Sequence, residues 1–386
     1  MEKIKLGEIC DIVSGSTPKT NVDEYWDGNI DWITPAEISD STFIVKESIR
    51  KITELAVLES GLKSFPKGTV ILSSRAPIGK VAIAGKELYC NQGFKNLICS
   101  DKIYNYYLYW FLKGKSEYLN SLGRGATFKE ISKSIVENIE IMLPPYEEQR
   151  ERSEKIEKCW RIVNLRNGQL NYLDELIKSR FVEMFGDENN SKKWKTVNVE
   201  DVAEVQVGVV IKPSQYYTDE ANGVRAFRSL NVGEGFIKNS DWVYFTQEGH
   251  QKNSKSILKE NDLLIVRSGA PGTACVVTKE YEGCNAIDII IAHPNSELVN
   301  PYYLCAFTNM PHGKKQIDEG TGGAAQQHFN VGKYNKLHIM LPPLEIQNEF
   351  VSFVHQVDKL KFYLIIHKLQ NADLKCYVNF RGRKNG

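Results

Sequence analysis

The chain says nearly the same thing twice, and that repetition limits what it can fold into. In the first half Ile141-Met142-Leu143-Pro144-Pro145 leads to Gln149; in the second, Ile339-Met340-Leu341-Pro342-Pro343 leads to Gln347. Upstream, Ser74-Arg75-Ala76-Pro77 matches Ser268-Gly269-Ala270-Pro271, Cys90-Asn91 matches Cys284-Asn285, and Tyr107-Leu108 matches Tyr303-Leu304, in the same order. The offset, roughly 194 to 198 residues, is far longer than a solenoid repeat. Each copy must therefore bury a core of its own, and 386 residues leave room for two such units with connectors.

Within the first copy, short strand patterns such as Lys5 to Val13 and Gly68 to Leu72 are broken by polar turns marked with glycine and proline, Ser14-Gly15-Ser16-Thr17-Pro18-Lys19 among them. An aromatic-rich helix is predicted around Ile103 to Leu119. After Pro145 the texture changes: no proline follows for some forty residues, and no glycine before Gly168. Pro145 suits a helix first turn, and Glu147 and Glu148 lie where the helix dipole favours anions. Ile156, Val163, Leu170, Ile177 and Met184 recur every seven residues, with Leu173 and Phe181 on a second seam, as in a coiled coil. Gly186-Asp187 stops this helix.

The second copy repeats the plan from Trp194, and after Pro343 the residues Phe350, Val357 and Leu364 again recur by sevens, with Leu360 and Leu374 between them. The expected fold is α+β: two globular domains (1–145 and 188–343) separated by two long antiparallel coiled-coil helices (146–187 and 344–386), with an internal pseudo-twofold repeat. Each helix of about 40 residues would run about 60 Å at 1.5 Å per residue.

No apolar run approaches a membrane span, and the N-terminus Met-Glu-Lys-Ile-Lys is unlike a signal peptide, so a cytoplasmic location with no membrane partner is expected. The eight cysteines never form a Cys-x-x-Cys pair at metal spacing and read as buried free thiols, with no metal site. All seven histidines follow residue 249, which excludes twin histidine-based active sites. Leu143-Pro144-Pro145-Tyr146 looks like the Asn-Pro-Pro-Tyr element that grips a target amine in amino-methyltransferases, but leucine offers the amine no hydrogen bond and no glycine-rich cofactor loop accompanies it. A duplicated enzyme would share catalytic residues between its copies; these share chiefly glycine, proline and apolar positions. No catalytic residue is assigned. The net charge of +1 does not by itself favour nucleic acid, although a neutral total can hide a basic face.

What recurs with chemistry attached is polar residues at turns. Ser14, Ser16, Thr17 and Lys19 match Lys212 and Ser214; Ser73, Ser74, Arg75 and Lys80 match Arg267 and Ser268; Arg124, Thr127 and Lys129 match Gln326 and Gln327. With Arg225 and Arg228 these are the candidate DNA-binding residues, being of the types that donate to phosphates and read base edges.

Ile141 to Gln149, the Gly125-Ala126-Thr127 segment and Ser14 to Pro18, duplicated in this order over essentially the whole chain, resemble the DNA-specificity (S) subunits of type I restriction-modification enzymes. The resemblance implies two target-recognition domains reading the halves of a bipartite site in double-stranded DNA, with helices that act as a spacer ruler and dock two methyltransferase (M) subunits. It places Gln149 and Gln347 at partner-binding positions. It also implies no cofactor in this chain: S-adenosylmethionine would belong to M, and ATP and Mg to the restriction (R) subunits. A methyltransferase-only or related defence system without an active nuclease, and a coiled-coil scaffold with no DNA role, are the alternatives. The second copy departs from the first, with Val209-Val210-Ile211 where the first has Ser16-Thr17-Pro18.

Overall fold

The computed structural model describes residues 2–125, 129–321 and 329–370, the side chains of Glu2, Gly320, Thr321 and 366–370 excepted. Thr127, Gln326, Gln327 and the final stretch of the C-terminal helix expected to reach 386 lie outside the described residues. The chain forms two compact units, one built on Met1–Gln169 and the other on Leu170–Tyr363.

In the first unit a five-stranded sheet runs in the order Cys10–Ser14, Phe94–Cys99, Val70–Ser73, Val81–Ala84 and Ile44–Val45. Its central strand Val-Ile-Leu-Ser is apolar on both faces and wholly buried, as a strand covered on both sides must be. One face is closed by the helix Asn105–Lys113, whose Tyr109 and Trp110 are fully buried. A three-stranded sheet of Lys51–Ile52, Trp26–Ile33 and Tyr89–Cys90, and a ribbon pairing Glu2–Lys5 with Glu140–Leu143, complete the unit.

The second unit reproduces this register. Ile12 opposes Leu97, which opposes Val70; in the second copy Val205 opposes Ala292, which opposes Leu263. The hydrogen-bond frame also corrects two of the sequence matches. Ser73 N–H bonds Lys80 O and Gly79 N–H bonds Ser73 O, as Val266 N–H bonds Thr273 O and Gly272 N–H bonds Val266 O. Pro77 is therefore equivalent to Ala270, one residue away from the matched Pro271. Likewise Ser16 N–H bonds Cys90 O where Val209 N–H bonds Ala286 O, so Cys90 corresponds to Ala286 and not to Cys284. The intervening loops differ in length, and backbone pairing rather than residue identity fixes equivalence.

The central helix Tyr146–Phe185 is unbroken. Ile156 and Cys159 on its first half are buried in the core of the first unit, with Trp160 and Val163 beside them, while Phe181 and Phe185 are fully buried in the core of the second. It ends at Gly186, whose φ of +94° is a conformation that favours glycine. The C-terminal helix Leu344–Gln370 buries Phe350, Val351 and Val357. Within the second unit the two helices run antiparallel: Arg180 pairs with Glu349 at 2.8 Å and Asp174 with Lys361 at 2.7 Å, so numbering falls along one as it rises along the other. Leu360, expected on the seam, is 55% exposed, because the Lys361–Asp174 ion pair occupies that level. Among the described residues no helix is long and apolar enough to cross a membrane.

Candidate nucleic-acid interface

In the first unit the strand Cys10–Ser14 delivers the chain into the turn Ser14 to Lys19, which is clamped from three sides. Gly15 lies against the Asn91 carbonyl, so close that a Cβ there would overlap it. Ser16 N–H donates to Cys90 O at 2.9 Å. Two indoles hold the far side: Trp32 Nε1 donates to Ser16 O at 3.0 Å and Trp26 Nε1 to Lys19 O at 3.3 Å. The Thr17 hydroxyl donates to Gln92, leaving Ser14 and Lys19 exposed, and the Arg50 guanidinium stacks 4.0 Å above the Trp26 ring.

Beside this turn, Thr34, Arg75, Asn91, Lys129 and Glu130 line a cleft of about 690 Å³. Lys80 is half-buried at its edge and donates to Pro35 O at 2.9 Å; Arg124 and Lys129 are exposed. Ser73 and Ser74 do not belong to the surface. Both are fully buried: the Ser73 hydroxyl donates to Pro77 O and accepts from Lys80 N–H, shaping the 73–80 turn from within. The expected DNA contacts there are corrected to supporting positions.

The second unit builds the same turn with different side chains. Gly208 lies against the Ala286 carbonyl as Gly15 does against Asn91, and Asp288 N–H bonds Val209 O. Val210 and Ile211 are exposed, Lys212 adopts φ +43°, and Lys212 and Ser214 face solvent. Arg267 forms an ion pair with Asp288 and its Nε donates to Phe329 O at 3.2 Å; Ser268 follows it, half-buried. Arg225, on the strand Val224–Phe227 of the unit's other four-stranded sheet, lies 5.8 Å over the Trp242 ring, and Arg228, just after that strand, is bound to Asp241 O.

Gln149 and Gln347, expected at partner surfaces, are fully buried. Gln149 Oε1 accepts from Tyr104 N–H at 2.8 Å, while its Nε2 donates to Lys102 O at 3.0 Å and Pro144 O at 2.9 Å. Gln347 repeats this set on Asn300 N–H, Leu298 O and Pro342 O. Each glutamine ties the start of a long helix to the loop ahead of the aromatic helix, and the correction follows from that geometry: a fully buried amide with both N–H groups bonded inside the fold does not face a partner.

The residues that sequence reasoning missed are Arg50, Asn91, Gln92, Lys95, Glu130 and Asp288. Of these, Lys95 leaves a signal as the one charge in the strand Phe94–Cys99, and Asn91 as part of the duplicated Cys-Asn pair. Three of the thiols are held neutral: burial pushes Cys90 and Cys275 each up to about 12 and Cys284 up to about 11. Among the described residues no group of three or more His, Cys, Asp or Glu could hold a metal ion.

One turn per copy, seated by a close-approach glycine and built with different side chains on an α+β domain with a long helix, defines a recognition protein with two reading domains. The family model for the type I restriction modification DNA specificity domain matches residues 1–175 and again 191–372, and the chain belongs to that family as a specificity subunit with two target-recognition domains. Among its relatives, the MjaIX specificity subunit of Methanocaldococcus jannaschii is 29% identical over 97% of this chain and 91% of its own length. The EcoKI specificity subunit of Escherichia coli is 22% identical over 83% and 72%. The S subunit of a type I system from M. genitalium shares the fold with a TM-score of 0.53 at 14% identity, over 97% of this chain and 95% of its own. A chain from a structure of type I system assembly and conformational transition does so with a TM-score of 0.55 at 18% identity, over 99% and 97%.

Proposed function

We propose that each domain reads one half of a bipartite site in double-stranded DNA, and that the helices set the spacer and dock methyltransferase subunits. The observation that carries this reading is the turn built twice on one backbone frame with different side chains. Half-sites about one helical turn apart require two readers held in fixed register, and base choice resides in a few side chains per reader. In the first domain Ser14, Ser16, Thr17, Lys19, Arg75, Lys80, Arg124 and Lys129 form the contact surface; in the second, Lys212, Ser214, Arg267 and Ser268 do so. Lys19, Arg124, Lys129 and Lys212 suit phosphate contacts, since exposed cations position a protein on DNA without reading it.

On this reading the chain performs no chemistry itself. S-adenosylmethionine and methyl transfer belong to two M subunits, ATP and Mg to R subunits, and the assembly works in the cytoplasm. A complex of M and this chain without R would use the same two readers. A coiled-coil scaffold with no DNA role leaves the duplicated turns without a purpose and is not favoured by the family match.

The test is to exchange residues 1–143 for those of a relative and sequence the methylome at base resolution. One half of the methylated motif changes and the other stays; a change in both halves, or in neither, refutes the two-reader model. The purified chain alone shows no methylation, and activity appears on adding M. Methyl transfer by this polypeptide alone would overturn the reading.

A further inference from the structure

Beneath the first domain's cleft lies a buried cation that the scaffold does not need. Lys95 sits on the strand Phe94–Cys99, opposite Ser14 and Leu72, and its side chain is 8% exposed. Its Nζ lies 3.2 Å from Glu130 Oε1 and 3.4 Å from Ser74 Oγ. At the same register position the second domain carries Ile290, opposite Val207 and Ile265, fully buried in its core. The fold therefore accepts an apolar residue there, and a buried ion pair is seldom more stabilising than well-packed hydrophobic side chains. Its retention calls for a reason outside stability.

Glu130 supplies one. Its backbone is fixed on both sides, exchanging two hydrogen bonds with Arg124 while the next residue, Ile131, donates to Ser74 O. Its carboxylate is 40% exposed, lines the cleft with Arg75 and Lys129, and only Oε1 is engaged by Lys95; Oε2 has no hydrogen-bond partner among the described residues. An acceptor-only anion is unsuited to phosphate. It is suited to the exocyclic amino groups that bases present in the major groove, cytosine N4 or adenine N6. We propose that Glu130 is a specificity-determining residue that accepts a hydrogen bond from a base amino group in the first half-site, with Lys95 and Ser74 as positioning residues that hold its charge from below.

This rests on the two-reader function, and the experiment separates the two. Complexes of M with this chain, wild-type, Glu130→Gln or Glu130→Asp, are assayed for methylation across DNA libraries randomised in both half-sites. The amide presents a donor as well as an acceptor; aspartate keeps the charge but withdraws it by one methylene. Each variant relaxes discrimination by about tenfold or more at one position of the first half-site, preference for a base carrying an amino group giving way, while the second half-site is read unchanged. Thermal unfolding identifies a variant that fails to fold, and the other variant then decides. If folded variants keep the wild-type preference, or lose activity equally on all sequences, Glu130 is not a reader and the inference is overturned. If the wild-type complex itself shows no two-part preference, the two-reader function fails first.

Discussion

Replacing Gln149 by leucine removes a hydrogen-bond set whose cost can be worked from its geometry. The substitution deletes the acceptor for Tyr104 N–H and the donors to Lys102 O and Pro144 O. A donor left without a partner costs about 1–3 kcal/mol, and each carbonyl that loses one net hydrogen bond about 1 kcal/mol, so the expected loss is about 3–5 kcal/mol. That is a large share of the roughly 5–15 kcal/mol a domain has in hand. Gln347 provides the control, because it makes the same contacts to Asn300, Leu298 and Pro342 in the other unit. Hydrogen exchange read on peptides covering Tyr104 and Asn300 should show about a hundredfold to several-thousandfold faster exchange at Tyr104 in Gln149→Leu with Asn300 unchanged, and the reverse in Gln347→Leu, at about 1.4 kcal/mol per tenfold. If both amides keep their protection while binding of methyltransferase subunits is lost, the glutamines act at a partner surface and the reasoning is refuted.

A methyl group at either close-approach glycine should act locally. Gly15→Ala drives a Cβ into the Asn91 carbonyl and the Cys90 sulfur, so the first turn must shift; a loss of about 1–3 kcal/mol in unfolding and loss of first half-site reading are expected, with Gly208→Ala affecting only the second half. Cys90 and Cys275, held neutral by burial, should resist iodoacetamide at pH 8 in the folded chain and react once it is unfolded; rapid labelling under native conditions would contradict their placement. Burial pushes Asp31 up, but the Lys86 ammonium and the Ser48 N–H and hydroxyl outweigh it and hold the carboxyl below its usual value. Its folded form therefore contributes stability above a pH of about 4 that is lost as the pH falls through the lowered value. Acid titration of unfolding should show this loss in the wild type and a flatter profile in Asp31→Asn.

The parts of the molecule legible in the sequence are those where one local pattern has one physical outcome. The helix after Pro145 shows itself through missing proline, an acidic first turn and a seven-residue apolar period, and it runs Tyr146–Phe185. The duplicated glutamines were visible as a motif, but their role was not, because motif spacing is silent about burial: Gln149 reaches Lys102 and Tyr104, more than forty residues upstream, only once the ribbon and helix are assembled. Ser73 and Ser74 look like turn residues and are instead the last residues of a buried strand and of its exit, where hydroxyls satisfy the turn from inside. The Lys95–Glu130 pair spans 35 residues and two elements, so no local pattern announces it. Arg50 reaches the first turn through the Trp26 ring, a meeting set by tertiary structure alone.

The two copies can be compared as a physical experiment on one scaffold. Groups present in both, the buried glutamine, the close-approach glycine, and the tyrosine hydroxyls of Tyr107 and Tyr303 that donate to Met142 O and Met340 O, close the frame. Groups that differ lie at the turn and beneath it: Thr17 with Gln92 against exposed Val210 and Ile211, and a Lys95–Glu130 pair against Arg267–Asp288. In both units a cation on the main sheet or its exit holds a half-exposed carboxylate, yet the cation comes from a different strand in each. Divergence that keeps a charge pair while moving its origin is hard to attribute to stability, since an apolar residue serves one of those positions already. It is expected if the carboxylate is presented to something outside the chain, and it separates the substitutions that should unfold a domain from those that should change what one domain reads.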